Sequence, residues 1–499
     1  MKAVRRAIPT TVGRAPLAMV RSWSRRSATR RRLRDLDARA LDDIGMTECQ
    51  RRRECARWFW QGGGQYAVAA KPKIFFGWQV VGGAFLLAVF GWGLGFYGPP
   101  IYLHAVCHVR GWSVALVSGA VTVHYLAGGI VVANMPFLYR RLGVPTVTKA
   151  GAVLIGLGIT GWAVAQQPWQ LFAATLLSGA GWAAMGAAAV NAIVVPWFVR
   201  TRPAALSAAY NGSSIGGVIF SPMWVAAIDK LGFPAAAATI GTVTAVSVWL
   251  LADTFFSRTP EQRGLMPDGG GNTEPLAPAL AVPSPSLDRG MLWRNPKFLT
   301  LAAGMALGLF AQIGLLAHLF SLLVPALGAQ NAGLAIGGAT AAAIIGRTLV
   351  SGMIGRQRDR RLCACASYLV QIGGSTLFLM AGGTSVPLLL IGVVLFGAGI
   401  GNATSLPPLI AQSEFSEEDV GRVVPLTIAV AQACYAFAPA VFALARELTP
   451  ATGAEGFAPY VFSAAALIQG LAIVALLAGR RGPFVTRSGQ PPETRWMVP

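Results

Sequence analysis

Twelve long apolar segments follow one another along the chain, separated by short polar turns and by one longer polar stretch. A helix needs roughly 20 apolar residues to cross the hydrocarbon core of a bilayer. The pattern therefore predicts an all-α membrane protein with twelve transmembrane helices, which we place at 75–98, 114–137, 146–166, 169–195, 203–228, 234–256, 298–323, 331–354, 362–382, 386–410, 423–446 and 456–479.

The longer polar stretch divides the spans into two sets of six. A short echo links the sets, since Gly179-Ala-Gly181 in span four is matched by Gly397-Ala-Gly399 in span ten. Two similar halves facing each other are an architecture used to move solutes. We predict a disordered N-terminus (1–20), a basic helical domain (21–60), a linker (61–74), a first half (75–256), a cytoplasmic central loop (257–296), a second half (297–479) and a cytoplasmic tail (480–499).

The composition agrees with a membrane protein. The positive charge is concentrated in the N-terminal segment and so does not indicate nucleic-acid binding by the rest of the chain. The chain is 54% hydrophobic and 12% charged, whereas soluble domains carry about 25% charged residues. The net charge is +21, but residues 1–74 alone hold 18 Lys/Arg against 6 Asp/Glu. That basic segment contains no apolar run long enough for a signal peptide. We therefore expect insertion through the spans themselves and no nucleic-acid surface on the membrane part.

Lysine and arginine are unevenly distributed between the two sets of short loops. One set, with the tail, holds Arg140, Arg141, Arg200, Arg202, Arg356, Arg358, Arg360, Arg361, Arg480 and Arg481. The opposite set holds Arg110, Lys230 and Arg446. Because the basic loops of membrane proteins face the cytoplasm, both termini are predicted to be cytoplasmic, as an even number of spans also requires.

Two motifs resemble a known family. Trp197-Phe-Val-Arg-Thr-Arg-Pro-Ala-Ala-Leu-Ser-Ala-Ala-Tyr-Asn-Gly-Ser-Ser-Ile-Gly-Gly217 resembles the entry to span five in the monocarboxylate and oxalate/formate branches of the major facilitator superfamily. Phe76-Gly-Trp-Gln-Val-Val81 resembles the start of span one in the same branches. The resemblance covers about residues 74–480. It implies the major facilitator fold of two six-helix halves and transport by alternating access.

One family signature is altered. The superfamily's loop between spans two and three usually reads Gly-x-x-x-Asp-Arg-x-Gly, where the aspartate helps to latch the cytoplasmic side. This chain reads Leu138-Tyr-Arg-Arg-Leu-Gly143, with Arg140 in place of the aspartate. Asp359, after span eight, is the candidate substitute. The gating and loop residues predicted on this basis are Arg140, Arg141, Gly143, Asp359, Arg200 and Arg202.

Arg347 is the deepest charged residue of the apolar segments. It lies 16 residues into span eight, hence roughly 24 Å from the outer end at 1.5 Å per residue. Ionisable residues at membrane depth are costly and mark functional sites. In the monocarboxylate transporters that this chain resembles, a span-eight arginine binds the substrate carboxylate. Those transporters carry an acidic residue one turn before the arginine, where this chain has Ala343. The alternatives are a side chain that reaches to the inner surface or a structural arginine.

Other polar residues at depth complete the candidate site. His124, near the middle of span two, suits proton transfer or ligand hydrogen bonding, or else donates to a neighbouring carbonyl. The remaining predicted substrate-binding residues are Asn211, Gln312, Asn402, Gln432 and Tyr435. Gln371 is predicted to join helices, and His104 and His108 to lie in a solvated outer loop. No Asp or Glu lies at mid-span, which favours an anionic or neutral substrate.

We therefore predict a secondary active or facilitative transporter for a small organic anion such as a monocarboxylate. The alternatives are an exporter of drugs or hydrophobic solutes and, in another class, a transporter-like membrane sensor or receptor. No enzymatic motif occurs. The six cysteines include only one close pair, Cys363 and Cys365, so no metal or other cofactor is expected. The protein is predicted to be a monomer.

The N-terminal extension is a separate basic element. Arg30-Arg-Arg-Leu-Arg-Asp-Leu-Asp-Ala-Arg-Ala-Leu-Asp-Asp-Ile-Gly45 is typical of a helix that ends at glycine, and Thr47-Glu-Cys-Gln50 of a capping box. The segment resembles the YjiS-like domain of short arginine-rich bacterial proteins, which implies a bacterial inner membrane. Residues 21–60 bind anionic lipid headgroups, bind RNA, or form a solvated extension; the sequence leaves these three open.

Overall fold

The computed structural model describes residues 75–269, 292–353, 359–449, 454 and 456–481, together with 51–52 and 55–56. The chain divides into two units, Met1–Ile74 and Phe75–Pro499. The predicted N-terminus, basic domain and linker, most of the central loop and most of the tail lie outside the described residues. The described spans all belong to the second unit.

The first half contains six spans, each one helix or two consecutive helices. Proline occupies one of the first two positions of five of these helices, where its missing N–H costs nothing. In chain order the helices are α1 (Phe76–Gly95), α2 (Pro99–Arg110), α3 (Val114–Leu142), α4 (Val144–Val164), α5 (Pro168–Met185), α6 (Ala187–Val194), α7 (Arg202–Leu231) and α8 (Phe233–Leu251), which a π-helical turn extends to Phe256.

The second half is built in the same way. Its helices are α9 (Pro296–Leu327), α10 (Ala329–Met353), α11 (Arg360–Ala381), α12 (Val386–Ile400), α13 (Asn402–Glu414), α14 (Glu417–Tyr435), α15 (Ala438–Glu447) and α16 (Pro459–Ala478). The described residues thus form twelve helical segments long and apolar enough to cross a membrane. The predicted all-α fold with six spans in each half is confirmed.

Span one differs from its predicted bounds. It continues through α2 to Arg110, twelve residues beyond the predicted end. The predicted loop around His104 and His108 is therefore wrong, because both lie in a helix. His108 is exposed, whereas the ring centroid of His104 is 5.3 Å from that of Phe320 in span seven. Prolines 99 and 100 misled the prediction, because they also suit a helix start.

Four spans are interrupted. Span one breaks between α1 and α2, span four at Gly186, span ten at Gly401 and span eleven between α14 and α15. Interrupted helices leave backbone carbonyls and N–H groups without helical partners. At membrane depth such groups are tolerated only where protein or a cavity supplies partners. The breaks therefore mark places where polar groups are tolerated inside the membrane.

The repeated Gly-Ala-Gly motif of spans four and ten corresponds to similar helix packing in the two halves. A Cβ at Gly179 would overlap the carbonyl oxygen of His124 in span two, and a Cβ at Gly397 would overlap that of Ala339 in span eight. His124 and Ala339 are each the eleventh residue of their helix. Spans two and four thus pack as spans eight and ten do, at corresponding positions, through backbones that approach closely because glycine has no side chain.

A glycine pair does the same between spans one and five. A Cβ at Gly212 would overlap the carbonyl oxygen of Phe85, and one at Gly216 would lie 2.6 Å from that of Val89. A methyl group at Gly212 can be accommodated only by moving backbone. The two glycines have the GxxxG spacing, which lets helix backbones approach closely.

We expect Gly212→Ala to lower stability by about 1–3 kcal/mol, the usual cost of overpacking. Gly338→Ala is the matched control, because a Cβ there meets no atom within 4 Å and an alanine in a helix gains about 0.4–1 kcal/mol. Thermal unfolding of the detergent-solubilised variants would measure both. Equal melting temperatures for the two variants would contradict the close packing of spans one and five.

The two halves meet most closely at one end of the bundle. The end at which span one starts is called here the Phe76 face, and the opposite end the Arg110 face. Near the Arg110 face, His104 packs on Phe320, and the carboxylate of Glu447 accepts a hydrogen bond of 3.1 Å from the backbone N–H of Ala115. Helix α15 also packs along α3 there, more extensively than α14 does. These contacts seal the Arg110 face.

At the Phe76 face, Asp268 caps the start of span five. Its carboxylate accepts hydrogen bonds from the backbone N–H groups of Val199 (3.0 Å), Arg200 (2.8 Å) and Thr201 (3.4 Å) and from the Thr201 hydroxyl (2.7 Å). Burial opposes ionisation, but these four donors outweigh it and lower the pKa of Asp268 to about 2. The segment after span six is thereby tied to the entry of span five.

This contact predicts a pH-dependent stability difference between wild type and Asp268→Asn. The carboxyl has a lower pKa in the folded protein than its ordinary 3.8, so it stabilises the fold fully above pH 4, and this contribution is lost as the pH falls toward 2. We expect Asp268→Asn to melt at a lower temperature than wild type at pH 6. The difference in melting temperature between the two proteins should become smaller as the pH is lowered below 4. A difference that does not change with pH would contradict this role of Asp268.

Arg361 joins four spans of the second half near the Phe76 face. Its Nε and Nη2 donate to the two oxygens of Glu414 at 2.6 and 2.8 Å. Nη1 and Nη2 also donate to the Thr300 hydroxyl and to the carbonyls of Leu476 and Lys297. All five N–H donors are used, and the side chain is 2% exposed. Spans seven, nine, ten and twelve are therefore held together at one buried point.

Candidate functional site

A cavity of about 170 Å³ lies between the two halves. The first half contributes Trp92, Phe96, Tyr97, Trp182, Ser213 and Ser214, and the second half Leu309, Gln312, Ile313, Ala343, Arg347, Ile400, Gly401, Thr404 and Tyr435. Three of the four helix breaks border it, through Phe96 and Tyr97, Gly401, and Tyr435. The cavity is thus built where the backbone of the spans is least regular.

Arg347 carries a charge, whereas the other described residues that line the cavity are uncharged. It lies on α10, 18 residues after the helix starts at Ala329, and so roughly 27 Å from the Arg110 face at 1.5 Å per residue. Its Nε donates to the carbonyl of Gly401, at the break in span ten, over 3.1 Å. This bond fixes one edge of the guanidinium. Among the described residues, no carboxylate forms an ion pair with it.

One end of the cavity is closed by a contact between the halves. The ring of Tyr97 and the side chain of Thr340 meet at Gly217 of span five, where a Cβ would lie 2.6 Å from the Tyr97 ring and 2.8 Å from Thr340. Arg347 follows Thr340 by seven residues, about 10 Å along the helix toward the Phe76 face. The guanidinium therefore lies on the Phe76 side of this contact.

Aromatic rings form much of the first-half wall. Phe96 and Tyr97 meet edge to face at 5.0 Å between centroids. Trp182 stacks on His124 at 5.6 Å and is edged by Tyr125 at 5.4 Å. Rings held by such contacts have little freedom to turn, so the wall is organised before any ligand enters.

His124 is 1% exposed and lies behind Trp182. Its Nε2 is 2.9 Å from the carbonyl oxygen of Gly95, the last residue of α1, and its Nδ1 is 2.8 Å from the Ser178 hydroxyl. The Gly95 carbonyl only accepts, so Nε2 carries a hydrogen. His124 thus supplies a partner to a backbone group that the break in span one leaves free.

The hydrogen bonds around His124 suit both charge states of the imidazole. When the ring is neutral, the Ser178 hydroxyl donates to Nδ1. When it is protonated, Nδ1 donates to Ser178, whose hydroxyl hydrogen can turn to the Thr175 carbonyl 3.2 Å away. The indole N–H of Trp162 donates to Ser178 over 3.2 Å in either case. A proton added here strands no buried donor or acceptor.

The predicted binding residues divide between cavity wall and elsewhere. Arg347, Gln312 and Tyr435 line the cavity, and the side-chain oxygen of Gln312 is buried without a partner in the described structure. Asn402, 2% exposed, borders instead a void of about 10 Å³ inside the second half, too small for a ligand. Asn211 is exposed.

Gln432 lies beside the cavity residues but not among them. Its side-chain nitrogen is 3.7 Å from where a Cβ of Gly129 in span two would be, so it faces the seam between spans two and eleven. Gln371 accepts a hydrogen bond of 3.0 Å from Gln469 in span twelve, in keeping with a role in joining helices.

The predicted gating residues lie at the Phe76 face. Arg140 is exposed, Arg141 lies over the ring of Phe137 at 5.7 Å, and Gly143 ends span two with a φ of 79° that favours glycine. Asp359 caps span nine and pairs with Arg480 at 2.6 Å. That contact lies within the second half.

The two arginines before span five have different partners. The backbone N–H of Arg200 donates to Asp268, whereas the side chain of Arg202 donates to the Phe198 carbonyl over 2.9 Å. Neither contact reaches the spans of the second half. Neither arginine forms an ion pair with the second half in the described structure.

Sequence reasoning missed Trp182 and Thr404, which line the cavity. It also missed two polar contacts at the Phe76 face, that of Asp268 with the start of span five and that of Arg361 with Glu414. The glycine motif of span four, Gly179 to Gly181, stands directly before Trp182 and was a usable signal for it. The two polar contacts join residues 53 and about 67 positions apart, and no local pattern connects them.

Comparison with known proteins agrees with the fold. The chain is 30% identical over 193 residues to MFS-type transporter 1 of Ophiocordyceps sp. (strain BCC 1869), covering 37% of the chain but only 42% of that relative. It is 27% identical to MFS transporter asaE of Aspergillus flavus over 67% of the chain and 72% of that protein. A crystal structure of a D-xylose–proton symporter superposes with a TM-score of 0.61 at 13% identity, covering 81% of this chain and 97% of that one, which shows likeness of fold.

Two family profiles match separate parts of the chain. The YjiS-like domain matches residues 17–52, which confirms the resemblance seen in the basic extension. The Major Facilitator Superfamily matches residues 80–443. Because this second match spans well over half of the sequence, the chain belongs to the major facilitator superfamily.

Proposed function

We propose that this transporter carries small organic anions, in particular monocarboxylates, by alternating access. The observation that carries the proposal is Arg347, a cation that lines the central cavity and has no carboxylate partner among the described residues. A charge that is partly removed from water and has no ionic partner is costly. A carboxylate ligand would offset that cost each time it binds.

The chemistry of the guanidinium favours a carboxylate over other solutes. Nε is engaged with Gly401, which leaves the Nη groups to donate side by side to two carboxylate oxygens. None of the described residues that line the cavity is acidic, so nothing there repels an anion. The same wall offers no counter-charge to a cation.

The position of the seal supports a cycle in which access alternates. In the orientation predicted from Lys and Arg, the Arg110 face is the outer one and the Phe76 face is cytoplasmic, in a bacterial inner membrane. The contacts at the Arg110 face then close the outer side, and the carboxylate meets Arg347 from the cytoplasmic side. Opening that seal while the Phe76 face closes would complete the exchange.

We expect Arg347→Gln to weaken carboxylate binding about tenfold to a hundredfold, because hydrogen bonds to charged groups contribute about 1.5–3 kcal/mol. Arg258→Gln, at an exposed arginine after span six and outside the cavity, is the matched control and should bind as wild type does. Isothermal titration of lactate and of its neutral methyl ester into each purified variant would measure this. Equal lactate affinity in wild type and Arg347→Gln would refute the proposal, as would a methyl ester that binds as tightly as lactate.

A further inference from the structure

The two walls of the cavity differ in chemistry. The first half presents the rings of Trp92, Phe96, Tyr97 and Trp182, whereas the second half presents the cation, Arg347. A solute held between them is therefore oriented, with its charged group toward spans eight and ten and its apolar part toward spans one and four. A solute with charges at both ends would place one of them against the aromatic wall.

Several of the rings keep free surface. Trp92, Phe96 and Tyr97 are only partly buried, although they line a cavity in the middle of the bundle. Trp92 meets Tyr210 at 90° and 6.3 Å, and Phe96 meets Tyr97 at 84°. Both are edge-to-face contacts, which hold the rings yet leave part of each uncovered. Planar ligands gain from stacking or edge contacts with such surfaces.

The size of the cavity limits the apolar part to a single ring. A dry cavity of about 150 Å³ accommodates benzene in a well-studied protein, and the space here is about 170 Å³. A two- or three-carbon acid such as acetate or lactate would leave the aromatic wall uncovered.

Resting on the proposed function, we infer that the preferred substrate is an aromatic monocarboxylate with one ring, of the benzoate type. Its carboxylate pairs with Arg347, and its ring packs against Trp92, Phe96 and Tyr97. The single cationic residue among the lining residues matches a single negative charge. The inference thus narrows the class of organic anions by shape and by aromatic character.

Binding of three monocarboxylates and one neutral compound tests the inference: benzoate, cyclohexanecarboxylate, lactate and benzyl alcohol. We expect benzoate to bind wild type about tenfold or more tightly than lactate, because its ring buries apolar surface, and a few-fold more tightly than cyclohexanecarboxylate, which has a similar size but no aromatic face. Benzyl alcohol should bind weakly because it lacks the charge.

Variants locate the effect. Trp92→Leu should abolish the preference for benzoate over cyclohexanecarboxylate and weaken benzoate binding more than lactate binding. Trp169→Leu, at a tryptophan that is 69% exposed and outside the cavity, should change neither. Phe96→Leu provides a second variant if Trp92→Leu does not fold, and the wild-type ranking of the three acids decides the inference without any variant.

The outcomes separate the inference from the function on which it rests. Lactate binding as tightly as benzoate, with both weakened by Arg347→Gln, would overturn the aromatic preference and leave carboxylate transport standing. Acids that bind independently of Arg347, or benzyl alcohol that binds as tightly as benzoate, would overturn both.

Discussion

Replacing Arg361 with alanine is expected to lower stability by about 3–5 kcal/mol, the usual result of removing one partner of a buried ion pair. The arginine is 2% exposed and donates five hydrogen bonds. Its loss leaves the Glu414 carboxylate, itself only 19% exposed, without its partner. Two backbone carbonyls, of Leu476 and Lys297, lose their contact at the same time.

The matched control is Arg480→Ala. Arg480 also pairs with a carboxylate, that of Asp359, at the same 2.6 Å, but the two side chains are 41% and 37% exposed. Exposed pairs contribute about 0–1 kcal/mol. Thermal unfolding and the yield of folded protein in detergent would separate the variants, and equal losses in both would contradict the role given to Arg361.

Replacing His124 with leucine is expected to cost about 2–4 kcal/mol. The Gly95 carbonyl at the break in span one would lose its partner, which costs about 1–3 kcal/mol, and the stacking on Trp182 would lose about 0.5–1.5 kcal/mol more. Because the break positions Phe96 and Tyr97 at the cavity, ligand affinity should fall together with the melting temperature.

A conservative variant tests this explanation. In His124→Gln an amide N–H can donate to Gly95 and the amide oxygen can accept from Ser178, so much of the stability should return. His108→Ala, at an exposed histidine of span one, should match wild type. The explanation fails if His124→Leu melts with wild type, or if His124→Gln is as unstable as His124→Leu.

The number and order of the spans could be predicted from hydrophobicity alone, because a bilayer sets the length of an apolar helix. The breaks could not. Gly186 and Gly401 each lie in a glycine-rich apolar stretch like many others in the sequence, and only packing decides which glycine interrupts a helix. For the same reason, span one was predicted to end before the prolines at 99 and 100, although the helix restarts there.

The sequence predicted how deep in the membrane the site residues lie, but not which side of each helix faces the cavity. Arg347, Gln312 and Tyr435 were selected because they are polar at membrane depth, and they line the cavity. Asn211 met the same criterion and is exposed. Spans that are apolar on every side carry no periodicity that shows which face turns inward. The rotation of each helix therefore comes from contacts with other spans.

Counterflow in proteoliposomes tests the central claim most directly. Vesicles that contain the wild-type protein and are preloaded with unlabelled benzoate should take up radiolabelled benzoate transiently above equilibrium, since one cavity serves both faces in turn. Vesicles with Arg347→Gln should show little uptake, and vesicles with Arg258→Gln should match wild type. Benzoate that binds the wild-type protein but never exchanges across the membrane would contradict transport by alternating access, as would equal exchange by wild type and Arg347→Gln.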